Sequence, residues 1–197
     1  MTGYIKLRKK VISLLNEKLP EDLYYHGIHH TLDVLHVCNQ YIRREKIGKH
    51  DAGLLRVAAL FHDIGFIESM REHEKNGARI ATQMMPEYGF SPEDVEKVQG
   101  LILATRIPQS PTNFLEKIIC DADLDYLGRN DFYQISDLLG KELEVYGNIK
   151  SKLEWNKLQI RFLEAHQYHT DFAVRNRQPN KEKRIFELKE WVENSKK

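Results

Sequence analysis

The apolar run Val57-Ala58-Ala59-Leu60-Phe61 leads straight into His62 and Asp63, before Ile64, Gly65 and Phe66 restore the apolar character. Two ionisable side chains inside such a run must find partners, because burying polar or charged groups unpaired costs several kcal/mol or more. Further imidazoles lie upstream in "YYHGIHHTLDVLH", at His26, His29, His30 and His36. Carboxylates lie downstream in "CDADLDYLG", at Asp121, Asp123 and Asp125. Imidazole and carboxylate together are the ordinary ligand set for a divalent first-row metal. A cation would supply the charge that a buried His-Asp pair lacks. Adjacent helical residues point about 100° apart, so His62 and Asp63 can reach one ion only near a helix end. Gly65 is expected to supply that end.

Not every histidine needs such a role. A single His beside an apolar helix is ordinarily a hydrogen-bonded core or surface residue, and His29, His36 and His50 are read in that way. His166 and His169 fall on or after a polar helix end, where cations interact favourably with terminal carbonyls. They are read as structural. "DADLD" on its own reads as a solvated acidic face, and it is the doublet at 62–63 that draws it into the site.

The elements that must carry these residues are helical. Ile5, Leu7, Val11, Leu14, Leu15 and Leu19 largely keep helical spacing up to Pro20. A second helix is expected from Thr31 to near Gly48, and a third over 51 to 63, apolar on nearly every face and therefore central. A fourth covers 72 to 86. "SPEDVEKVQGLILAT" opens with Ser91 as N-cap, Pro92 at the first helical position, and Glu93 and Asp94 in the first turn. The segment "PTNFLEKIICDADLDYLG" is expected to be capped by Thr112 or Asn113 and to run helically to Gly128. Segments 131–146, 153–166, 170–177 and 181–192 complete an all-α reading of about eight to ten helices, without alternating strand patterns or internal repeats.

Composition fits one domain with a substantial core: 197 residues, 41 % hydrophobic and 30 % charged. A formal net charge of +1 argues against polymeric nucleic acid or an anionic membrane as partner. Cys38 and Cys120 form no disulfide framework, which suits a reducing compartment. No signal-peptide h-region or bilayer-length apolar run is present, so a cytoplasmic location is expected.

His30, then His62-Asp63 at the end of an apolar helix, then an Asp in "ADL" resembles the HD-domain superfamily of metal-dependent phosphohydrolases. The similarity covers roughly residues 22 to 130, and the helices from about 131 to 197 resemble the usual cap on that core. The resemblance implies a single HD-type helical domain over residues 1–197, with metal ligands His30, His62, Asp63 and Asp123. Asp121 is the alternative to Asp123. "YHGIHHTLDV" is similar to the "YHNxxHxxDV" element of cyclic-nucleotide phosphodiesterases, whose second His is a ligand and whose first is a general acid. By position these are His30 and His26, one turn apart if the stretch is helical, with Gly27 replacing the Asn. "REHEKNGARIA" resembles an "HExxGAxxA" segment whose His can bind a second ion, here His73. Thr105 stands where a further His would be expected, so one divalent cation is the default, a second being an open alternative. The ligand set does not separate Mn, Mg, Fe, Co, Ni and Zn.

What the resemblance implies is hydrolysis of a phosphate ester of a nucleotide or similar small phosphorylated metabolite by a metal-activated water. Asp63 or Asp121 would hold the water's proton and His26 would protonate the leaving oxygen. Arg106, in "ATRIPQSP", would offset charge on the phosphoryl oxygens, with Arg71 and Arg129 as weaker candidates. "HDIGFI" lacks the "HDxxED" continuation of the alarmone hydrolases. The alternatives are a non-catalytic metal- or nucleotide-binding regulatory module, and a di-iron oxygenase of the same fold.

Overall fold

The computed structural model describes residues 3–195, and among these it contains ten α-helices and no strand. The chain packs as two compact units, divided between Asp123 and Leu124. The first unit holds α1 (Tyr4–Lys18), α2 (Ile28–Arg44), α3 (Lys49–Phe61), α4 (His73–Met84), α5 (Pro92–Ala104) and α6 (Phe114–Asp123). Helix α3 is its axis, packed against α1, α2, α4, α5 and α6. From Ala52 to Phe61 every residue of α3 except Arg56 is buried. At about 1.5–3 kcal/mol for each large aliphatic side chain removed from water, this helix is the main hydrophobic anchor of the unit. The start of α5 is the capping box expected at Ser91: the Asp94 amide donates to the Ser91 hydroxyl, and the Ser91 amide donates to the Asp94 carboxylate. Asn113 caps α6, its Oδ1 accepting from the Glu116 amide at 3.0 Å. Cys38 and Cys120 are buried free thiols.

Two helices end earlier than their apolar periodicity suggests. Helix α3 stops at Phe61 rather than at residue 63, and the chain tightens into a 3-10 turn over Ile64–Ile67. Helix α6 stops at Asp123 rather than near Gly128, and a second 3-10 turn covers Asp125–Gly128. Asp63 (φ −108°, ψ 3°) and Leu124 (φ −107°, ψ 19°) both adopt the sparsely populated bridge backbone between the two helical forms. Burial on all sides hides this break from a pattern that reads only hydrophobicity.

Gly65 is therefore not the helix stop expected of it but a site of close approach. A Cβ there would sit 1.9 Å from the carbonyl oxygen of His73, and one at Gly77 would sit 2.8 Å from the carbonyl oxygen of Phe61. The turn after Asp63 thus lies directly on the first turns of α4. Gly65→Ala is expected to force that turn off α4, with a loss of about 2 kcal/mol or more in urea unfolding, since backbone cannot yield as a side chain can. An unchanged unfolding midpoint would contradict the packing.

The second unit holds the 3-10 turn 125–128 and α7 (Phe132–Val145), α8 (Lys152–Ala165), α9 (Asp171–Asn176) and α10 (Gln178–Asn194). Helix α10 packs on α8, α9 and the 3-10 turn. Trp155 lies against Gly140, where a Cβ would come within 2.8 Å of the indole nitrogen. Asp125, 1 % exposed, accepts from Arg177 Nε at 2.8 Å and Nη2 at 3.1 Å.

His166 behaves differently from the helix-terminal cation expected of it. Burial and the neighbouring ammonium of Lys181, with a smaller effect from His169, push it from 6.5 down to about 3. Lys181 instead supplies the cation, donating to the His166 carbonyl at the end of α8. A neutral His166 in the fold and an ordinary one in the unfolded chain make stability fully present above about pH 6.5 and progressively lost as pH falls towards 3. In urea unfolding, wild type is expected to lose on the order of 1–2 kcal/mol more than His166→Gln between about pH 7 and about pH 4.5. Equal losses would show that His166 is not held neutral.

Candidate metal centre

The two breaks at which α3 and α6 end carry the site. His62 caps α3, Asp63 begins the following turn, and Asp123 is the last residue of α6. His30 comes from the first turn of α2. His30 Nε2, His62 Nε2 and Asp123 Oδ1 all lie within 4.8 Å of one another. The separations are 3.1 Å for His30–Asp123, 3.3 Å for His30–His62 and 3.6 Å for His62–Asp123. Asp63 Oδ2 approaches the same two imidazoles, 3.1 Å from His62 Nε2 and 3.5 Å from His30 Nε2. An ion with bonds of about 2.0–2.2 Å spaces neighbouring ligand atoms by about 3.0–3.5 Å, so the donor set is sized for one small divalent cation.

Two further observations favour that fit. Asp63 Oδ2 is buried, and beyond the two imidazoles it faces it has no hydrogen-bond donor among the described residues. His62 Nδ1 lies 3.0 Å from the Ala59 carbonyl, which can only accept, so Nδ1 carries a proton and Nε2 faces the cluster. Burial disfavours a charged His62, but the Asp63 and Asp123 carboxylates outweigh it and raise its pKa to about 9. For Asp63 burial acts upward, and the imidazoles of His62, His26 and His30 together hold the carboxyl well below its usual range.

Asp121 stands outside this group. It is fully buried, and two helical residues turn the chain by about 200°, so Asp121 and Asp123 leave α6 on different sides. His26 also departs from expectation. Helix α2 begins at Ile28, so His26 precedes the helix instead of lying one turn from His30 along it. It nevertheless reaches the site's edge, its ring 6.1 Å from that of His30 and stacked on Phe66 at 4.4 Å. Phe66 also stacks on His73 at 4.1 Å. His73 opens α4, with Nδ1 donating to the Met70 carbonyl at 3.3 Å and Nε2 lying 3.5 Å from Asp63 Oδ1. The two oxygens of Asp63 therefore face different imidazoles. Thr105 is committed elsewhere, its hydroxyl donating to the Ile102 carbonyl. Arg106 is exposed and acts electrostatically on Glu72, the residue before His73. Arg129 is engaged by Asp131 at 2.7 Å.

Sequence reasoning overlooked Glu74 and Phe66. Glu74 is buried with Oε1 3.3 Å from His73 Nε2. Its place in the "HExxGAxxA" pattern was the available signal. Nothing in the sequence marked Phe66 as the ring joining His26 to His73. His36 and His50 have ordinary surface partners, Gln40 at 2.9 Å and Asp94 at 2.8 Å.

Comparison with known proteins bears on this arrangement. The family model for the HD domain matches residues 27–125, half of the chain. No curated protein matches. Among solved structures, a predicted HD superfamily hydrolase from an uncultured Thermotogales bacterium is similar in fold. It has a TM-score of 0.59 and 23 % identity, and the match covers 94 % of this chain and 89 % of that one. No described helix is long and apolar enough to cross a membrane.

Proposed function

This chain belongs to the HD-domain family, and from that premise we propose that it is a metal-dependent hydrolase that cleaves a phosphate ester of a nucleotide or similar small phosphorylated metabolite. The observation that carries the proposal is the buried Asp63 Oδ2 facing the His30–His62–Asp123 cluster, with donor spacings that fit one small divalent cation. His30, His62, Asp63 and Asp123 would hold a divalent cation, which would supply Lewis acidity to the phosphoryl group and lower the pKa of water from 15.7 towards about 7. Asp63, with an oxygen turned towards His73, would hold the proton of the attacking water. The role is given to Asp63 rather than to Asp121 because Asp121 leaves α6 about 200° around from Asp123. His26, kept in place by Phe66, would give a proton to the leaving oxygen. Arg106 would reach over the site mouth to offset negative charge on the phosphoryl oxygens.

A neutral chain with local cationic groups favours a small phosphorylated substrate over polymeric nucleic acid or a membrane surface. The approach of His73 to the second oxygen of Asp63 favours a second reading, in which two cations share that carboxylate. Metal analysis of the purified protein, combined with a phosphatase panel in Mn²⁺, Mg²⁺, Co²⁺ and Ni²⁺, tests both. Phosphate release with at least one of these ions is the expected result. Two bound irons without phosphate release would turn the assignment to a di-iron oxygenase. Tightly held metal with no turnover of any phosphorylated compound would turn it to a regulatory binding module.

A further inference from the structure

The second unit contains a buried cation that the proposed hydrolysis does not use. Lys181, in the first turn of α10, is 1 % exposed, and among the described residues its ammonium makes no salt bridge, although the carboxylate of the next residue, Glu182, acts on it electrostatically. Its ammonium donates to the His166 carbonyl and lies 3.3 Å from His166 Nδ1 and 5.6 Å from the centre of the Tyr168 ring. An ammonium has three protons to donate, so one remains after the two His166 contacts. Because His166 Nδ1 accepts from Lys181, the remaining proton of a neutral His166 sits on Nε2. That atom is buried and has no hydrogen-bond partner.

Both residues line one cleft of about 570 Å³, whose walls include the apolar side chains of Leu163, Val174 and Ile185. Glu164 also lines this cleft, but its carboxylate is held by Lys189 at 2.6 Å, so the Lys181 ammonium and the unpartnered His166 Nε2 face the cleft without an ion-paired carboxylate of their own among the described residues. The carbonyl of His166 accounts for part of the lysine's demand as the end of a helix dipole, but it leaves the imidazole donor unmet.

We propose that this cleft binds a small organic anion, whose carboxylate or phosphate group is held by Lys181 Nζ and His166 Nε2 while its apolar body lies against Leu163, Val174 and Ile185. The oxygens would accept the two free protons in charge-assisted hydrogen bonds, and the anion would neutralise the ammonium. Burial pushes Lys181 down to about 8 although Glu182 opposes it, and burial with the Lys181 and His169 charges pushes His166 down to about 3, so the cleft weakens both cations. The apolar walls favour an anion with a hydrocarbon body over a bare oxyanion. This site lies wholly within the second unit and does not depend on the hydrolase assignment.

The test is an NMR titration of the purified protein, with its bound metal, carrying labelled histidines. Benzoate and phenyl phosphate serve as anions, benzyl alcohol as the uncharged body, and inorganic phosphate and acetate as anions with little or no hydrocarbon. Benzoate or phenyl phosphate is expected to shift the His166 ring signals saturably at millimolar concentration or below, and whichever is tighter identifies the headgroup. Benzyl alcohol should bind at least roughly tenfold more weakly, and so should the anion to Lys181→Met. Absence of a saturable His166 shift with every anion would overturn the proposal. So would benzyl alcohol binding as tightly as benzoate, a comparison that needs no variant. Inorganic phosphate binding more tightly than both aromatic anions would overturn the organic-anion assignment. If Lys181→Met does not fold, Lys181→Arg provides the second variant: it keeps the charge and should retain binding, whereas a folded Lys181→Arg without binding would overturn the role of the charge.

Discussion

Asp63→Asn is expected to lower hydrolysis of any phosphate ester this protein cleaves by about 10³-fold or more, because several kcal/mol of transition-state stabilisation depend on the cation that this carboxylate would help to hold. The substitution keeps the shape of a side chain that is 5 % exposed and removes only its charge. Bound metal should fall with activity, since Asp63 Oδ2 would be the oxygen lost from the set formed with His30, His62 and Asp123. His62 should respond as well. Without the neighbouring carboxylate that raises its pKa to about 9, burial acts on the imidazole with less opposition and the value falls. Metal content by elemental analysis, initial rates and far-ultraviolet circular dichroism on the same preparation separate these effects from misfolding. Wild-type turnover by a folded Asp63→Asn protein would sink the assignment.

The largest expected effect on stability comes from Arg177→Met. Asp125 is buried, and its hydrogen-bond donors are Arg177 Nε and Nη2, while Arg129 Nη1 stays 3.9 Å away. Removing Arg177 leaves the buried Asp125 carboxylate with the more distant Arg129 guanidinium and without these two hydrogen bonds, at the lower end of the about 3–5 kcal/mol typical for breaking a buried ion pair. The neighbourhood has little room to adjust, because a Cβ at Gly128 would already meet the Arg177 carbonyl oxygen at 2.4 Å. The double variant Asp125→Leu/Arg177→Met removes both charges and should recover most of the loss. Urea unfolding of wild type, the single variant and the double variant measures both steps. A loss below about 1 kcal/mol for Arg177→Met would show that the pair is effectively solvated.

These two variants separate residues that stand two apart in "DADLD". Asp123 faces His30 and His62, Asp125 is held by Arg177, and Asp121 is buried on another side of α6. Hydrophobic spacing, N-caps and the lack of strand patterning made the all-helical architecture legible. Ser91 with Asp94, and Asn113 with Glu116, are local contacts that the sequence states almost directly. The ligand candidates His30, His62, Asp63 and Asp123 were legible for a different reason. Ionisable residues in an apolar setting require partners, and the family resemblance narrowed the choice among them.

The places where reading along the chain failed share a physical cause: each depends on contacts between distant segments. Residues 62 and 63 look like more of α3 because they are as buried as the helix before them. The break after Phe61 is stabilised by a turn lying on α4, which requires Gly65 against His73 and Gly77 against Phe61. His26 seemed to belong to α2, yet Phe66 locates its ring from outside the helix. His166 looked like a terminal cation until Lys181 brought a second positive charge beside it and burial made it neutral. By itself the sequence determined which elements are helices and which side chains must be neutralised inside them, because propensity, capping and burial cost act over a few residues. Only the tertiary structure decided which carboxylate meets which imidazole or guanidinium, because Coulomb and hydrogen-bond energies depend on distances set by the packing of helices far apart in the chain.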